Sequence, residues 1–231
     1  MMRRTMMTAL VAFGVTSSAW ASPITVSGTS NPWLAGMPAG STASDFDTAP
    51  AQSPVEVPVF FVPGDAIWFS ATGATDHCDG RGCGLAGAEG DAFEPIWSHS
   101  VGAENGIGDV IAPIDALIGV FLGPDQPNLS AAPGALLDFS TPASRDFATL
   151  SPGLKQPFFI GDGFRNDGIT QQLFIAPAGA TRLFLGTMDG YDWLNNFGSL
   201  EVTATTTPEP TTMMLVGAGA LGALRRRARR R

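Results

Sequence analysis

Residues 181–202, TRLFLGTMDGYDWLNNFGSLEV, read as strand, polar loop, strand. The apolar run Leu183-Phe184-Leu185 leads in, and the alternating Leu200-Glu201-Val202-Thr203 leads out. Between them stand Asp189, Asp192, Asn195, Asn196, three glycines and the single Tyr191 of a chain that is only 15% charged. Two adjacent strands joined by a polar loop at one end of a sandwich are the reading, since period-two or continuous short apolar runs bounded by Gly, Asp and Asn are strand and turn signals.

Working outward, the same grammar recurs. Val55–Phe61 reads as a strand running into the turn Pro63-Gly64-Asp65, and Ala66–Thr72 reads as a second strand ending at Gly73. Ala116–Leu122 is apolar throughout and predicts a buried strand; Phe158–Gly161 and Gln171–Pro177 follow. No long stretch shows the 3.6-residue period of an amphipathic helix. Seven or eight short strands between Gly/Pro turns predict an all-β fold, a jelly-roll-type β-sandwich over residues 54–205. Residues 22–53, rich in Ser, Ala, Pro and Gly, read as an extended arm anchored at Asn31-Pro32-Trp33-Leu34. Residues 79–113 and 123–156 read as long polar insertions.

The two ends have their own patterns. Residues 1–21 carry Arg3 and Arg4, an apolar run Met6–Val15 and the small-x-small site Ala19-Trp20-Ala21, the pattern of a secretory signal peptide cleaved after Ala21. Residues 206–231 hold Pro208-Glu209-Pro210, an apolar stretch Met213–Leu224 and six arginines after it. Twelve helical residues span only ~18 Å, short of the ~30 Å hydrocarbon core. The basic cluster would hold that end in the cytoplasm. This triplet, short apolar helix and Arg-rich end resemble the PEP-CTERM sorting signal. The resemblance implies an exported protein, cut near the triplet by an exosortase-type enzyme after transient anchoring in the inner membrane, and then released or attached at the cell surface. An uncut C-terminal anchor is the other reading.

Once these ends are set aside, five Lys/Arg face twenty acids, a net charge of −15. Such a surface lacks the basic patches that nucleic acids and anionic membranes require, and it favours cations. Cys78 and Cys83 lie in His77-Cys78-Asp79-Gly80-Arg81-Gly82-Cys83, and in an exported chain two near cysteines predict a disulfide. A zinc site is the rival, with His77 as the only histidine beside them.

In the opening loop, Asp189, Asp192, Asn195 and Asn196 offer hard oxygens suited to Ca²⁺, which takes 6–8 of them. No Cys or His lies in the loop to favour zinc or copper. The segment Asp189-Gly190-Tyr191-Asp192-Trp193-Leu194-Asn195-Asn196-Phe197-Gly198-Ser199 also resembles the calcium loop of the PA-I (PA-IL) galactophilic lectins, in which an Asp is followed by Asn-Asn-x-Gly-Ser and a strand. Pro63-Gly64-Asp65, Ala116–Gly123 and Phe174–Leu185 are similar to other strands of that galactose-binding-domain-like fold, so the likeness runs over most of 55–205. It implies a Ca²⁺ held by Asp189, Asn195 and Asn196, with Asp192 as an added carboxylate. It also implies a backbone carbonyl at His77, by its offset from Pro63-Gly64-Asp65. A sugar would bind directly to the metal, bridged by Asp189, Asn195 and Asn196, with His99 as a candidate contact. Tyr191 and Trp193, as aromatics in the loop, read either as a sugar-stacking face or as core. The loop is one residue shorter than the family pattern between the Asp and the Asn pair.

No nucleophile elbow, metalloprotease motif or phosphate loop is present, so the reading is non-catalytic. It is an exported, calcium-dependent carbohydrate-binding protein for a galactose-like sugar or exopolysaccharide. The alternative is a structural matrix or surface protein in which Ca²⁺ only stabilises the loop.

Overall fold

The computed structural model describes residues 22–44, 46–78, 83–91 and 96–207. The signal peptide, the Pro208-Glu209-Pro210 triplet and the apolar stretch after it lie outside these residues. Among the described residues no helix is long and apolar enough to cross a membrane.

In chain order the strands are β1 (Ile24–Ser27), β2 (Thr42–Ala43), β3 (Asp47–Thr48), β4 (Val55–Glu56), β5 (Ala66–Asp76), β6 (Ile96–Ser98) and β7 (Val110–Pro113). They continue as β8 (Leu117–Leu122), β9 (Leu137–Asp138), β10 (Thr149–Leu150), β11 (Phe158–Phe159), β12 (Leu173–Ile175), β13 (Arg182–Thr187) and β14 (Phe197–Thr207). Among the described residues the one α-helix, α1, is the single turn Pro142–Arg145. The fold is all-β, as its composition predicts.

Two sheets form the sandwich. The first has the order β1-β14-β5-β12-β10, antiparallel except where β10 meets β12. The second is β11-β8-β13-β4, antiparallel throughout. Smaller pairings, β2-β3 and β6-β7-β9, lie outside the two main sheets. The core is aromatic: Phe69 meets Phe174 edge-on at 5.2 Å, Phe121 stacks on Phe158 at 5.3 Å, and Phe158 reaches Phe174 of the opposite sheet at 5.6 Å. Strand β8 is buried at every position, matching its uninterrupted apolar run.

Three expectations are corrected. Residues 22–53 are no free arm: β1 pairs with β14, and Trp33 and Leu34 are fully buried. Small polar residues had the look of a linker, but the edge of β14 offers them a partner. Only Val55–Glu56 of the expected strand 55–61 forms a ladder, since Pro58 cannot donate to one. Strand β5 passes through Gly73 to Asp76 because β14 pairs with it along its whole length. The supposed insertion beyond it contains β6 and β7, and 123–156 contains β9, α1 and β10.

Candidate metal centre

Strand pairing alone brings the site together. β13 runs antiparallel to β8 with Thr187 opposite Leu117. Two residues further on, that register sets Asp189 opposite Asp115, and the Asp115 N–H donates to the Met188 carbonyl at 2.7 Å. In the other sheet Phe197 of β14 faces Asp76 of β5, so one step further sets Asn196 opposite His77. The two pairs meet across the end of the sandwich, where His77 Nδ1 lies 2.7 Å from Asp115 Oδ2.

Asp115 is fully buried in the left-handed region (φ 67°), with its own carbonyl accepting from Thr75 Oγ1 at 3.2 Å. Asp189 Oδ1 accepts from the Gly190 N–H, and Asn196 Nδ2 donates to the Gly28 carbonyl at 3.1 Å, which leaves its Oδ1 turned the other way. Seven buried side-chain atoms among the described residues lack a hydrogen-bond partner, and four belong here: Asp115 Oδ1, Asp189 Oδ2, Asn195 Oδ1 and Asn196 Oδ1. All four are oxygens. Orphaned buried acceptors are rare because each forfeits its hydration without compensation.

The electrostatics agree. Burial pushes the Asp189 carboxyl up to about 6, against the pull of the Asn196 side chain, the N–H groups of Gly190 and Tyr191, and His77. Asp115 is also raised by burial, opposed chiefly by its hydrogen bond to His77, with the nearby Asp76 charge adding to the rise. Two carboxyl and two amide oxygens that are buried and unpartnered form a set that a hard divalent cation satisfies.

A buried platform holds the loop in shape. Residues Trp193–Asn195 form a 3₁₀ turn whose Trp193 and Leu194 N–H groups donate to Asp47 Oδ2 and Oδ1 at 3.1 and 2.9 Å. Asn31 Nδ2 donates to the same carboxylate at 2.9 Å. Burial raises the Asp47 pKa, and these three donors oppose the rise. Trp193 is fully buried, donates Nε1–H to the Thr187 carbonyl at 2.9 Å and packs 5.5 Å from Trp33.

The expected residues therefore separate. Asp189, Asn195 and Asn196 stand together with free oxygens. Asp192 Oδ2 instead accepts from Asn195 Nδ2 at 3.0 Å. Trp193, expected in a stacking face, is core; Tyr191 is 56% exposed. His99 is 2% exposed, stacks on Trp33 at 4.0 Å and bridges the Gly190 carbonyl and Glu104 Oε2, so it supports the loop from beneath. The His77 ring is committed to Asp115. Cys78 and Cys83 are joined in a disulfide, as expected. Asp76 and His77 lie close to their sulfurs, but with the sulfurs bonded to each other no thiolate is available for zinc. Asp115 was missed; the signal was an acid just before the most apolar strand, which an antiparallel partner would set beside Asp189.

No curated protein matches the chain. A solved structure described as "EclA N-terminal domain; PllA-like lectin" aligns at 14% identity with a TM-score of 0.38, covering 82% of this chain and 98% of that one. Residues 206–231 match the PEP-CTERM protein-sorting motif, which marks an exported protein addressed to an exosortase-type system.

Proposed function

We propose that this exported protein binds carbohydrate through a calcium ion held between the ends of its two sheets, by Asp115, Asp189, Asn195 and Asn196. One observation carries the reading: four buried oxygens, from segments far apart in sequence, share one end of the sandwich with no donor to satisfy them. Both sheets contribute, so the site is a product of the fold rather than of a single acidic loop. The amide oxygens of Asn195 and Asn196 and the carboxylates of Asp115 and Asp189 are the hard, mixed-charge set that Ca²⁺ prefers over Mg²⁺, which demands a tighter octahedron. Bound there, Ca²⁺ would supply exchangeable positions that vicinal hydroxyls of a sugar can fill. The resemblance of the loop to the galactophilic lectin loop supports the sugar as second guest. Asp192 serves the loop, holding the Asn195 amide so that its oxygen faces inward.

Calorimetric titration with Ca²⁺ and then galactose, beside an Asp189→Ala/Asn196→Ala double variant, tests this. Calcium binding that disappears in the variant, together with calcium-dependent sugar binding, is the expected result. Calcium without sugar leaves a structural surface or matrix protein, and no calcium sinks the reading altogether.

A further inference from the structure

Gly190 follows Asp189, and its φ is not in the left-handed region, so the backbone does not require glycine there. Its neighbour does. A Cβ at Gly190 would stand 2.8 Å from Trp97 Cε3, 3.3 Å from Cζ3 and 3.5 Å from Cδ2, inside the reach of any real side chain. The benzo half of the Trp97 indole thus lies directly on the backbone of the metal loop. Trp97 sits in β6 and remains 37% exposed, unlike the two tryptophans beneath the loop, Trp33 and Trp193, which are fully buried. The indole thus rests one side on the loop backbone and presents the rest to solvent, an amphipathic ring of the kind that meets ligands with one apolar face. Next to it, Tyr191 is also exposed.

We propose that Trp97 is the platform on which the bound saccharide lies, taking the part that the sequence assigned to Trp193. The inference rests on the calcium-dependent reading above and names the ligand class more closely. A ring whose vicinal hydroxyls reach the cation beside Asp189 must extend over Gly190, and there it meets the indole. The site therefore selects pyranosides that carry several adjacent C–H groups on one face beside that diol. Acyclic polyols, which offer the same hydroxyls without a rigid face, are poor ligands. The glycine at 190 is the space the indole occupies.

The test compares methyl β-galactoside with galactitol as probes, titrated calorimetrically into calcium-loaded wild-type protein, Trp97→Ala and Trp97→Phe. Wild type binds the pyranoside in preference to the polyol. Trp97→Ala binds calcium unchanged but loses about tenfold in pyranoside affinity and most of the preference over galactitol. Trp97→Phe keeps most of both, while the change in tryptophan fluorescence on adding sugar, present in wild type, disappears. Unchanged pyranoside binding by Trp97→Ala overturns the platform and leaves the calcium lectin reading intact. Loss of calcium binding in Trp97→Ala also overturns it, making the residue a structural support. Calcium binding by wild type with no sugar binding overturns both proposals together.

Discussion

Asp189 holds a carboxyl that its surroundings prefer neutral unless a cation is present. Its pKa in the fold is about 6, against an ordinary value of 3.8, because burial strips its hydration. Between those pH values the folded state binds more protons than the unfolded one, so stability falls as pH rises. A shift of that size corresponds to on the order of 3 kcal/mol. Thermal unfolding in chelator should therefore show a midpoint that drops between about pH 4 and 6; Asp189→Asn should flatten the drop, and saturating calcium should cancel or reverse it. Asp115 and Asp192 make a second contrast. Asp115→Asn should weaken calcium binding by roughly tenfold or more, as one anionic ligand is lost. Asp192→Asn, whose residue only props Asn195, should change it by less than about threefold. Equal effects in calorimetry would refute the assignment. Asp189, Asn195 and Asn196 were legible because they crowd one loop. Asp115 was not, since only the pairing of β8 with β13 brings it there. Trp193 misled because an aromatic in a polar loop suits either a ligand or a core, and nothing local distinguishes the two.

At the scale of elements, the loop that carries the chain from β13 to β14 depends on one carboxylate outside it. Asp47 receives three hydrogen bonds, two of them from the backbone of the 3₁₀ turn. Asp47→Ala leaves those donors unsatisfied and should cost about 3 kcal/mol in denaturant unfolding. It should also weaken calcium binding, because the turn that carries Asn195 loses its clamp. An unchanged unfolding midpoint would refute this. The apolar strands near 66, 117, 173 and 182 could be read directly, because each carries its own apolar pattern. Strands β6, β7 and β9 could not: two to four residues hold too little pattern, and their pairing is settled by neighbours remote in sequence. The segment around Trp33 reads as the anchor of an extended arm, but its partner was not legible: the indole donates to the Gly108 carbonyl, 75 residues away in the chain, at 3.0 Å.

For the whole molecule, a cation joining the ends of both sheets acts as a ligand of the native state alone. Calcium at a hundred times its Kd should add ~2.7 kcal/mol. For a domain of this size that raises the melting temperature by about 5–10 °C. Calorimetry with and without chelator checks it, and a shift that persists in Asp189→Ala/Asn196→Ala would point to binding elsewhere. The excess of acids over bases makes such a gain plausible without any basic partner.

Strand β14 also fixes a direction. It begins at Phe197, beside the Asp189–Asn196 loop, and runs eleven residues to Thr207, where the sorting segment takes over. At ~3.3 Å per residue that is roughly 33 Å of nearly straight backbone. The Asp189–Asn196 loop and Thr207 therefore stand at opposite ends of β14. Anything that grips the chain beyond Thr207 would leave that loop, with the proposed calcium and saccharide site, at the far end of the strand.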